Sequence, residues 1–108
     1  MNSRRKGADG ERELANLLRE KGFSGSRRGQ QYCGGNGDAD VVGLPGIHIE
    51  CKRVEALNLD KSMEQAVNDA RDGETPAVFH RKNGKPWKVT LLMDDFLKYY
   101  KAFGELSK

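Results

Sequence analysis

Glu50 and Lys52 stand two residues apart in the run Ile47-His48-Ile49-Glu50-Cys51-Lys52, a carboxylate and an amine at strand spacing. Alternate side chains of a strand share a face. Ile47, Ile49 and Cys51 therefore point into a core, and His48, Glu50 and Lys52 point the other way. On its own such a pair is also what a solvated outer face carries. The preceding stretch, Asp38-Ala39-Asp40-Val41-Val42, leads into the turn signal Pro45-Gly46, which folds Asp40 against Glu50 on the same side of a hairpin. Two carboxylates held together raise each other's pKa unless a cation sits between them. Oxygen-only ligands with room for water suit Mg²⁺ or Mn²⁺. A lysine beside that cation can orient or help deprotonate a water and stabilise charge on a phosphate.

A third carboxylate comes from the first helix. Glu11 lies three, four and seven residues before Leu14, Ala15 and Leu18, at the start of the apolar face, where an acid is disfavoured unless something needs it there. Compensation of the helix dipole is the plainer reading of an acid in a first turn. Glu13 falls off the stripe and reads as solvated, His48 reads as structural, and Asp38 shares a face with Asp40 if the strand starts early.

Eight elements position these groups. A basic arm, residues 1–7, precedes a helix over residues 9–21 that Gly22 closes, with Phe23 packing back on the core. A weak strand candidate at residues 30–33 is followed by Gly34-Gly35-Asn36-Gly37. Strands are expected over residues 40–44 and Ile47–Arg53, then a helix over 60–71 with Met63, Ala66, Val67 and Ala70 on its inner stripe and Gly73 as the stop. Residues 77–81 and 87–92 form a hairpin about Asn83-Gly84, and a last helix over 94–103 carries Phe96, Leu97, Tyr100 and Phe103 on one face. Tyr99, Tyr100 and Phe103 read as core or as a subunit contact. The order is α-β-β-β-α-β-β-α, a single domain over residues 1–108.

With 108 residues the chain has room for one core, and no apolar run is long enough to span a membrane. Two cysteines make neither a disulfide framework nor a zinc cluster, so a reduced, cytoplasmic setting is expected. The net charge of +3 is distributed unevenly, at +4 over residues 1–28, −2 over 29–52, −3 over 53–76 and +4 over 77–108. Basic ends attract a polyanion and the acidic middle a cation.

At these positions the chain resembles archaeal-type Holliday junction resolvases of the PD-(D/E)XK nuclease superfamily. The likeness rests on Lys6-Gly7-Ala8-Asp9-Gly10-Glu11-Arg12-Glu13-Leu14, Gly22-Phe23, Asp40-Val41-Val42 and Ile49-Glu50-Cys51-Lys52, and it covers nearly the whole chain. It implies an α/β restriction-endonuclease-like fold, a central mixed sheet of about five strands flanked by helices. It also implies that Asp40, Glu50 and the Cys51 carbonyl are metal ligands, that Glu11 completes the site and that Lys52 is the catalytic lysine. The cofactor would be Mg²⁺, with Mn²⁺ as substitute. The protein would be a homodimer, each subunit nicking one strand of a four-way DNA junction. Many relatives place a glutamine on the following helix, so Gln65 either supports the pocket or is a solvated helix residue. Arg4, Arg5, Lys6, Arg27, Arg28, Gln30 and Arg53 are the candidate DNA contacts. The stretch between Phe23 and Asp40 is longer and richer in Gly and Gln than the family's short basic, serine-bearing segment. Two further readings stand beside junction resolution: a nuclease of flapped, nicked or linear DNA, and a DNA-binding module with no catalysis.

Overall fold

The structure, a computed structural model, describes residues 3–30 and 39–107, without the side chains of residues 3–6. Apolar residues at helical spacing build α1 (Ser3–Glu20), which buries Leu14, Ala15 and Leu18. Because Arg, Lys and Ala are strong helix formers, the helix begins at Ser3, and residues 3–7 are helix where a flexible arm was expected. Phe23 N–H bonds the Leu18 carbonyl and Gly22 N–H that of Arg19, both at 3.0 Å, closing the helix as expected. Phe23 does not pack back on the core. It is 46% exposed, because the chain turns at once toward the sheet edge and Ser26 takes the buried position.

Five strands follow: β1 (Arg27–Arg28), β2 (Val41–Val42), β3 (Ile47–Arg53), β4 (Thr75–Arg81) and β5 (Lys88–Leu91). They form one mixed sheet in the order β1-β2-β3-β4-β5. The β3–β4 pair is parallel and the others are antiparallel. The fold is therefore the α/β, restriction-endonuclease-like arrangement that the resemblance implied. β1 lies at Arg27–Arg28; most of the strand expected at 30–33 lies outside the described residues, as do the glycine run and Asp38. β2 is shorter than expected because Gly43 breaks it at φ 122°. A Cβ there would stand 2.4 Å from Ser26 Cα, so glycine is what lets the turn lie against the β1 lead-in.

Parallel neighbours need a crossover, and α2 (Leu59–Asp69) supplies it. The Asn58 side chain caps it by accepting from Lys61 N–H. The helix ends at Asp69, two residues short of expectation, where Ala70 turns extended. Ser62, Met63 and Ala66 are buried, while Val67 is 44% exposed. The two sheet faces are filled separately. Leu14, Leu18, Val41, Ile49 and Cys51 pack under α1, and Met63, Ala66 and Val78 pack under α2.

That division leaves α3 (Met93–Leu106) no core position. Phe96, Tyr100 and Phe103 stack along one face at 6.4 and 6.5 Å, yet they are 53, 62 and 64% exposed, so the core reading of these aromatics is corrected. Tyr99 Oη reaches Thr75 Oγ1 at 3.2 Å. Among the described residues, no helix is long and apolar enough to cross a membrane.

Candidate active site

The antiparallel register sets Val41 opposite Ile49, which brings Asp40 beside Glu50 one step farther from the β2–β3 turn. Asp40 N–H donates to the Ile49 carbonyl at 3.1 Å, and its Oδ2 accepts from Cys51 N–H at 2.9 Å. The Asp40 side chain is thereby tied to the backbone between Glu50 and Lys52. Strand alternation then gives Glu50 and Lys52 a common face, with Lys52 Nζ 3.7 Å from Glu50 Oε2. Glu11 arrives from α1 with its side chain 16% exposed, and Arg28 Nε donates to its Oε1 at 3.0 Å.

Electrostatics bind the four groups together. Burial, then the charge of Asp40, push the Glu50 carboxyl up to about 7, against the pull of Lys52. Asp69, from the end of α2, adds a further push. Burial and Asp40 also raise Glu11, while Arg28 and Lys52 pull it down. The Cys51 thiol lies in the core and is raised by burial and the surrounding acids, which rules it out as a thiolate nucleophile. The pocket therefore holds more negative charge than its fixed cations offset.

The sequence matches the family described as "Phage putative PDDEXK endonuclease" over residues 2–105. The chain belongs to this family. No curated protein and no solved structure matches it. Within a PDDEXK endonuclease, a divalent cation is the group these donors fit. Glu50, buried beside Asp40 and drawn up toward 7 by that burial and charge, belongs to an acidic set whose charge a divalent cation would offset.

Of the other expected site residues of the PDDEXK chain, Arg28 meets this pocket through Glu11. Gln65 is exposed on α2, one turn before Asp69. Arg27 and Gln30 are exposed near the β1 edge, and Arg28 is engaged by Glu11. The side chains of Arg4, Arg5 and Lys6 lie outside the described residues. Arg53 faces the α1 side rather than the Lys52 side, as strand alternation requires. Its Nε stands 3.6 Å from Glu13 and its Nη2 donates to Asn83 Oδ1 at 3.3 Å. Glu13, read as solvated, is the centre of that network. Arg81 grips it at 2.7 and 3.1 Å and Trp87 Nε1 donates to it at 2.9 Å.

Two residues were not expected in the pocket. His48 is 3% exposed, and with Glu50 and Asp69 it forms a group whose donor atoms all lie within 4.8 Å of one another. Asp69 follows the buried Ala66 by three residues, so its place on the inner flank of α2 was available from helical spacing.

Proposed function

We propose that the chain is a Mg²⁺-dependent endonuclease of branched DNA, nicking four-way junctions in pairs as a homodimer. The observation that carries this reading is the gathering of Glu11, Asp40 and Glu50 around Lys52, with Glu50 held near 7. Asp40, Glu50 and the Cys51 carbonyl would hold the cation, with Glu11 completing the set. A bound divalent cation supplies the acidity that makes water a nucleophile at neutral pH and offsets phosphate charge. Lys52 places a positive charge beside the phosphate under attack and orients the water for in-line displacement. The products would carry 5′-phosphate and 3′-hydroxyl ends. Arg27, exposed at the sheet edge, would contact DNA phosphates.

Paired nicking needs two sites, and α3 offers a surface for a second copy. Met93, Phe96, Leu97, Tyr100, Phe103 and Leu106 are all exposed. At on the order of 100 Å² each, they approach the roughly 800 Å² per partner that a stable interface buries.

Labelled four-way junction, flap and linear duplex, incubated in equal amounts with Mg²⁺, test the reading. Symmetric junction nicks that Glu50→Gln abolishes are expected. Equal cutting of all substrates removes junction selectivity, and binding without cutting in Mg²⁺ or Mn²⁺ removes the nuclease.

A further inference from the structure

We propose that His48, Glu50 and Asp69 form a second divalent-cation site, with a nitrogen ligand, that prefers a transition metal such as Mn²⁺ to Mg²⁺. It deepens the reading above, on which it rests through the shared ligand Glu50. Two elements build it. β3 sends His48 and Glu50 out on one face, and α2 crosses that face to deliver Asp69 at its end. One donor atom from each lies within 4.8 Å of the other two.

The second observation is the state of His48. Its side chain is 4% exposed, yet among the described residues its ring makes no hydrogen bond. Nδ1 stands 3.7 Å from Glu74 Oε1, beyond hydrogen-bond length. Buried imidazoles are ordinarily hydrogen-bonded, and one left without a bond beside two carboxylates is placed to be a ligand. Glu74, its side chain 29% exposed, stands where an outer carboxylate orients a ligating histidine. Asp69 is exposed, which gives an ion a route in.

Ligand type separates this site from its neighbour. The Asp40 side of Glu50 offers oxygen only, which suits Mg²⁺, whereas one imidazole with two carboxylates suits first-row transition metals. Two carboxylates also match the charge of one divalent ion.

Mn²⁺ alone, titrated into the full chain without DNA, provides the test, read by calorimetry and by pulsed electron paramagnetic resonance. The expected result is a ¹⁴N coupling from one imidazole that His48→Gln abolishes. The only other histidine, His80, has its Nε2 2.9 Å from Thr90 Oγ1 and serves as the control position. Asp69→Asn, at an exposed helix end that keeps the fold, should weaken the nitrogen-coupled site by about tenfold or more. Absence of ¹⁴N coupling in the wild type, its survival in His48→Gln, or unchanged affinity in Asp69→Asn overturns the proposal. Junction cleavage in Mg²⁺ is scored separately. A chain that cuts without nitrogen coupling loses only the second site, and one that shows the coupling without cutting loses only the nuclease.

Discussion

Glu13 and Glu50 are both glutamates drawn against the central sheet, and their surroundings are opposite. Around Glu13 stand Arg81, Arg53 and the Trp87 N–H. Burial raises its carboxyl, but the Arg81 bonds and charge, then Arg53 and Trp87, outweigh burial and hold it below the usual range. Around Glu50 stand Asp40 and Asp69, with Lys52 as the opposing charge, and its carboxyl rises to about 7. One acid is neutralised by the protein's own cations and joins α1 to the β4–β5 hairpin. The other is left short of positive charge, as the proposed role of Glu50 in holding a cation requires. The same residue type sits in opposite electrostatic surroundings according to which charges the fold brings to it.

The largest effect should come from removing the acid whose charge the fixed cations leave unbalanced. Glu50→Gln is expected to lower Mg²⁺-supported cleavage by about 10³-fold or more, while circular dichroism and melting show a fold at least as stable as wild type. A loss of fold would place Glu50 with Glu13 among structural acids.

Next comes the response to pH. Glu50 has a folded value of about 7 against an ordinary 4.5, so its stabilising contribution is full below 4.5 and is lost as pH rises through 7. Unfolding free energy without metal should fall across that window by up to about 3 kcal/mol. Saturating Mg²⁺ should reverse the fall, because it binds the ionised form. Urea titrations at several pH values, with and without Mg²⁺, read this directly.

Glu13 runs the other way. Its folded value is lowered, so its contribution is present above 4.5 and lost as pH falls below the folded value. Glu13→Gln should cost about 1–2 kcal/mol at neutral pH, discounted because the side chain is 32% exposed. Cleavage by the folded fraction should persist. The smallest effect belongs to Arg28→Ala, which removes the counter-charge on Glu11 and should raise that carboxyl further, shifting the acid limb of the cleavage profile upward by less than about one pH unit.

Much of this contrast could be read from residue order. Strand alternation gave Glu50 and Lys52 one face and Cys51 the other, and Pro45-Gly46 was enough to bring Asp40 back to them. Local rules could not reach contacts made by distant elements. Glu13 meets Arg81 across 68 residues, so its helix position alone made it look solvated. Asp69 enters the pocket only because α2 crosses the face that carries His48 and Glu50. Arg53 was expected on DNA although the alternation that placed Lys52 already sent it to the opposite side. The apolar stripe of α3 was legible as a stripe, but periodicity does not say whether the partner is this chain's core or another surface. Here α1 and α2 fill the two faces first.

The contrast between the two glutamates is tested most directly by ¹³C NMR titration of the glutamate carboxyls in the metal-free chain, assigned with Glu50→Gln and Glu13→Gln. The account predicts that Glu50 titrates near 7 and ionises fully at neutral pH on addition of Mg²⁺, while Glu13 titrates below 4.5 and ignores the metal. A Glu50 resonance that titrates near 4.5 and does not respond to Mg²⁺ would contradict it.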